Sequence, residues 1–416
     1  MRSFVWTSCL VMVVLLLSVP VSAQFKATED VAPAPKEEAP QPETPKYGEE
    51  VPLEELTLAL MLDALDLRGR ISQLMVATSQ GLQAPNIDDM GYMRAYPPGG
   101  MVVRQILKPS SAAVYVAKLR GVEELNRIPL LVGANLYQLA RRDRDAASGF
   151  VQLPSLLSMA AAQDKETGAS IGRILAEHMK TMGFDMHLGP SLELAPIIDG
   201  TTGSIYTFGS NPDFVAKSGT QLIDIFNDYN IAAIPWGFPG GGLNRVADDP
   251  AVLLTPMSQL MQEDLLPYRH AIASGIRILH VADTLVPTMD SDGLPACVSP
   301  AVLSTLLRER MHYEGLIMAG PMDGPGVSSS RMPSELAAEI ALRSGAEMLY
   351  WQGSSHQVMR VIEKLVLEVE GGRLDEAIID RAVTRGSPGQ ARYAPSGSKQ
   401  PHRKRSHQIR ESKRPD

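Results

Sequence analysis

The chain has 416 residues, 44% hydrophobic and 21% charged, which permits a large buried core and excludes wholesale disorder. A formal net charge of −8 argues against a protein held on nucleic acid by phosphate contacts. Two cysteines exclude a disulfide scaffold, an iron–sulfur cluster and a zinc ribbon.

In chain order, residues 1–23 read as a secretory signal peptide: Met1-Arg2, then the apolar run Leu10 to Leu17, then Val21-Ser22-Ala23 as a small-residue cleavage pattern. The run is short of the ~20 residues a membrane span needs. Only Cys297 would remain after cleavage. Residues 24–54, rich in Pro, Glu and Ala, read as an extended spacer with little to bury. Residues 389–416 are expected to be a basic, solvated tail around His402-Arg-Lys-Arg-Ser, with contact to an anionic envelope surface as the functional alternative.

Between these flanks, residues 55–388 alternate short apolar runs with helical periodicity. Strands are expected near Gln73–Ala77, Gly100–Val103, Pro129–Ala134, Asp185–Gly189, Ile231–Trp236, Ile276–Ala282, Leu316–Ala319 and Glu347–Trp351. Ile171, Ile174, Leu175, His178, Met179 and Met182 recur at helical spacing, as do Phe214, Val215, Leu222, Ile223, Ile225 and Phe226. The expected fold is a single α/β domain, a (β/α)8 TIM-type barrel with its site at the C-terminal strand ends.

At those ends the candidates are few. Asp283 and Asp323 follow strands, and Glu193 lies beyond the fourth, so a pair of acids at one mouth is conceivable. Asp248 and Asp249 also fit a helix N-cap region beside Pro250. Trp236 and Trp351 sit at strand ends, where an aromatic ring either stacks on a sugar or fills the mouth. His280 reads as a core or helix-facing histidine and His178 as packing. No His, Asp or Glu cluster has metal-ligand spacing, so neither a metal nor a cofactor is expected. Gly240-Gly241-Gly242 lacks the Lys-Ser/Thr of a phosphate loop, and no Gly-x-Ser-x-Gly elbow occurs.

Several stretches resemble the N-terminal domain of glycoside hydrolase family 3. They are Ile128-Pro-Leu-Leu-Val-Gly-Ala-Asn, Leu153-Pro-Ser-Leu-Leu-Ser-Met, Phe208-Gly-Ser-Asn-Pro, Phe238-Pro-Gly-Gly-Gly, Asp264-Leu-Leu-Pro-Tyr-Arg-His and Gly345-Ala-Glu-Met-Leu. The likeness implies the single-domain branch of bacterial β-N-acetylhexosaminidases, and with it export to the periplasm or envelope and amino-sugar glycans as partners.

The chemical positions depart from that pattern. Retaining hydrolysis needs two carboxyl groups roughly 5–5.5 Å apart. The family nucleophile, in a Ser-Asp-Asp-Leu type motif, is matched by Gly320 in Met318-Ala-Gly-Pro-Met-Asp-Gly. Ala247 and Asp249 stand where the Asp–His proton donor would fall, and Trp236-Gly237 replaces the Lys-His pair. Sugar-gripping positions are matched by Asn135, Tyr206 and Asp283, and by Arg141 with a one-residue shift. The expectation is an impaired enzyme acting as a carbohydrate-binding or interaction module, with Asn135, Arg141, Glu193, Tyr206, Trp236 and Trp351 at its ligand. The alternatives are an active hydrolase using Asp249, Asp283 or Asp323, and a purely structural envelope protein.

Overall fold

Eight short apolar runs form parallel strands: β1 Met75–Ser79, β2 Gly100–Val103, β3 Leu131–Ala134, β4 Met186–Ser191, β5 Ala232–Trp236, β6 Ile278–Val281, β7 Leu316–Ala319 and β8 Met348–Trp351. The computed structural model describes residues 60, 64–104, 109–126, 130–135, 154–194, 203–241 and 249–386, all within the unit Val51–Asp416. The signal-peptide, spacer and tail readings, together with Arg141, Ala247 and Asp248, lie outside these residues.

The ladder runs β5-β4-β3-β2-β1-β8-β7-β6. A single parallel bridge between Phe238 and Val281 closes the seam. There Phe238 donates its N–H to the His280 carbonyl at 3.2 Å, and Ala282 donates to the Phe238 carbonyl at 2.8 Å. Thus the last turn of chain after β5, rather than β5 itself, completes the barrel. This is the (β/α)8 architecture expected.

Alternation along each strand divides the apolar residues into two cores. Val76, Val102, Leu131, Leu188, Ile234, Ile278, Met318, Met348 and Tyr350 fill the barrel interior. Residues of opposite parity, including Ala77, Val103, Leu279, Leu349 and Trp351, pack outward against the helices.

Helix starts are set locally. Asp66 caps Leu67–Gln73 by accepting the Gly69 N–H at 2.7 Å, and Asn86 forms a capping box with Asp89 at Ile87–Ala95. Helix Ser355–Glu370 buries Val358, Val361, Ile362, Leu365 and Val366, the i, i+3, i+4, i+7 face. Each such fully buried aliphatic chain contributes about 1.5–3 kcal/mol.

Some boundaries moved. Gln73 ends a helix, so β1 begins two residues later than the run of apolar residues suggested. Helix Lys165–Thr181 buries Leu175, Ala176 and Met179, but Ile174 lies 43% exposed, outside the stripe to which its hydrophobicity assigned it. Its buried face is set by the neighbouring helix Pro212–Asp228: a side chain at Gly172 would press on Leu222 and Ile225.

Candidate functional site

Continuing the inward parity past the interior apolar residues reaches one residue at each of four strand ends. On β5 this is Trp236, on β3 Asn135, on β7 Gly320 and on β8 Gln352. Below them lies a cavity of about 220 Å³. That is under the roughly 300–1,000 Å³ of drug-sized ligand sites and is on the scale of one small ring. Asn135, Glu193, Tyr206, Trp236, Asp283 and Gln352 contribute to its wall, together with His187, His280 and Thr284.

One wall is aromatic. The Trp236 indole stacks on the His280 imidazole with centroids 3.5 Å apart and planes 3° from parallel. Tyr350 meets the indole edge-on at 5.4 Å and 83°. Gly237 donates its N–H to His280 Nδ1 at 3.3 Å, which leaves the imidazole proton on Nε2. Burial pushes His280 down to about 3, opposed by the Gly320 backbone, so the ring is neutral at physiological pH. His280 therefore belongs to the barrel interior and not to the helix-facing side.

The acidic candidates are held in place by backbone donors. Asp283, 2% exposed, accepts the Gly326 N–H at 2.8 Å. Asp323 accepts from Gln352 N–H at 3.0 Å and Gly353 N–H at 2.5 Å, clasping the turn after β8 to that after β7. It does not contribute to the cavity wall. Glu193 is buried against Gly237, whose φ of +91° suits glycine alone. A Cβ there would lie 2.6 Å from Glu193 Oε2, so the carboxyl occupies the room a side chain at 237 would need. Asp249 is exposed and outside the cavity.

Gly320 is tighter still. Its φ is +144°, and a Cβ would lie 2.6 Å from the Tyr350 carbonyl oxygen and 3.1 Å from the Met322 nitrogen. Position 320 thus lacks not merely a carboxylate but the space for any side chain.

Of the two tryptophans expected at the mouth, one is there. Trp351 is fully buried in the outer layer, because Tyr350 takes the inward place and the next residue must point the other way. Tyr350 and Gln352 were the residues that sequence reasoning passed over, and His280 was read as core or helix-facing and not as part of the cavity wall. Counting parity from Met348 identifies the first two. Among the described residues no group of three His, Cys, Asp or Glu gathers as metal ligands.

The structure is thus an α/β barrel with an aromatic-walled cavity at the C-terminal strand ends, the end at which such barrels carry their sites. The model of the glycosyl hydrolase family 3 N terminal domain matches residues 73–386, and the chain belongs to that family. It is 26% identical over 278 residues to a β-hexosaminidase of Methylococcus capsulatus, covering 64% of this chain and 79% of that one. It is 22% identical over 303 residues to a β-N-acetylglucosaminidase/β-glucosidase of Cellulomonas fimi. That match covers 70% of this chain but 52% of the relative, so the chain spans about half the relative's length. Among solved structures, a family 3 β-N-acetylglucosaminidase from Paenibacillus superposes with a TM-score of 0.70 at 25% identity, covering 80% of this chain and 63% of that one. LpqI of Mycobacterium tuberculosis superposes with a TM-score of 0.68 at 20% identity, covering 81% and 96%.

Proposed function

We propose that the chain is an exported family 3 barrel that has lost hydrolysis and binds a single sugar unit of an amino-sugar glycan, such as that of a bacterial cell wall. The observation that carries this reading is Gly320, where the Tyr350 carbonyl fills the space of the missing nucleophile. The cavity keeps what recognition needs: an indole face at Trp236 and convergent polar groups from Asn135, Tyr206 and Gln352. The signal-peptide pattern of residues 1–23 supports export, and the named activities of the bacterial relatives support the glycan class.

A second reading has one observation in its favour: Glu193 and Asp283 both contribute to the cavity wall. An active hydrolase would use that pair as acid and base. One assay separates the two. The full chain is incubated with chromogenic β-N-acetylglucosaminide and β-glucoside, and binding of N-acetylglucosamine is measured by calorimetry. Binding without turnover upholds the first reading. Turnover that disappears in Asp283→Asn establishes the second.

A further inference from the structure

We infer that residues 51–59, the apolar segment ahead of the barrel, seat in a groove on its flank and strap the start of helix Leu67–Gln73 to helix Ser355–Glu370. The latter helix buries Val358, Val361, Ile362 and Leu365 toward the barrel. Its opposite side presents His356, Met359, Arg360, Glu363, Lys364 and Leu367, a stripe at i, i+3, i+4, i+7, i+8 and i+11. Leu336, on helix Ser334–Arg343, forms the other bank of a groove of about 930 Å³. Leu336 is 44% and Leu367 57% exposed, so no described residue covers them. An open apolar groove with a polar rim is a docking surface, and one lying along a helix suits a segment with apolar residues at short intervals.

The chain enters at this groove. Arg68, in the first turn of Leu67–Gln73, donates to Glu363 in the groove wall at 2.6 and 3.1 Å. A few residues earlier, Leu60 is helical, and its carbonyl accepts the Ala64 N–H at 3.3 Å. Leu60 is itself 62% exposed, so the apolar character of this part of the chain is not yet matched by any described surface. Nine residues span about 14 Å as a helix and about 30 Å when extended. The stripe from His356 to Leu367 is about 17 Å long at 1.5 Å per residue, within that reach.

Composition agrees with position. Val51, Leu53, Leu56 and Leu58 supply apolar side chains for Leu336, Met359 and Leu367, and none of residues 51–59 is basic. Glu363, Glu339 and Glu368 are already held by Arg68, Arg343 and Lys364. Arg360 is exposed and makes no ion pair with another described residue, and Glu54 and Glu55 supply the carboxylate it lacks. Residues 387–416 fit less well, because their large apolar residues are Tyr393 and Ile409 and their many Lys and Arg side chains would face Arg360.

The test uses the full chain with a photoreactive p-benzoylphenylalanine in place of Leu367. Irradiation should join position 367 to residues 51–59 of the same chain, read by mass spectrometry of the cross-linked peptides. Cross-links to residues 387–416 would seat the tail instead, cross-links between chains would seat a second copy, and no cross-link at all would leave the groove empty. Each of these overturns the inference. A Glu-specific protease supplies the second measurement. Cleavage after Glu54 or Glu55 should become at least about tenfold faster in Leu336→Glu/Leu367→Glu, because proteolysis follows the population of the undocked segment. Both positions are exposed, so the charges do not unfold the barrel. Leu53→Ser/Leu56→Ser should accelerate the same cuts, and Leu254→Glu, 70% exposed and outside the groove, should not. Cleavage as fast in the wild type as in the groove variant overturns the inference as well.

Discussion

The carbonyl oxygen of Tyr350 stands 2.6 Å from where a Cβ at Gly320 would lie, and Gly320 itself has a φ of +144°. Two neighbouring strand ends thus leave no room for a side chain at the position matched to this family's nucleophile.

Restoring the missing carboxylate should therefore fail. Gly320→Asp is expected to give no turnover of chromogenic β-N-acetylglucosaminide and to cost about 3 kcal/mol in urea unfolding, from overpacking and from a non-glycine residue at positive φ. An active, stable Gly320→Asp protein would show that the clash is absorbed easily.

Asp283 is expected to act on stability before chemistry. In Asp283→Ala the buried Gly326 N–H loses its acceptor, at a cost of about 1–3 kcal/mol. Asp323→Ala should cost less, because Gln352 and Gly353 are closer to solvent and water can replace the carboxylate. Thermal denaturation of both variants checks the order.

The two tryptophans should separate cleanly. Trp236→Ala removes the ring over His280 and is expected to abolish sugar binding while destabilising by about 3 kcal/mol. Trp351→Phe leaves a small void in the outer core and should lower stability by about 1–2 kcal/mol with affinity unchanged. Calorimetric titration of both variants with one sugar decides the matter.

Stability should fall on mild acidification. Burial holds His187 and His280 down to about 3, from an ordinary value of 6.5. Below about pH 6.5 the unfolded chain takes up a proton at each site and the folded chain does not. The stabilisation is complete above that pH and is lost progressively toward pH 3. Between pH 6 and 5, above the usual carboxylate range, the slope should approach about 1.4 kcal/mol per pH unit for each histidine. Urea unfolding of His280→Phe across that window should show the slope roughly halved.

Much of this was legible in the chain. Continuous apolar runs such as Leu316–Ala319 and Gly100–Val103 gave strands with the expected bounds, because a parallel strand covered on both faces needs apolar residues at every position. Phe238-Pro-Gly-Gly-Gly and its companions carried the family. Gly320 could be matched to the nucleophile by counting along Met318-Ala-Gly-Pro. What counting missed was parity at the strand ends. Trp351 was assigned to the mouth, although Met348 and Tyr350 on the same strand fix it on the opposite face.

The amino-acid order determined by itself a parallel barrel and a glycine, Gly320, at the position matched to the family's nucleophile, since both depend on residue type and local spacing. Tertiary structure decided which groups meet. It set the Trp236 ring on His280 and gave Asp283 and Asp323 backbone donors to hold. Those relations join residues far apart in the chain, and they are fixed only when the register of eight strands and the closing bridge at Phe238 bring their ends onto one circle.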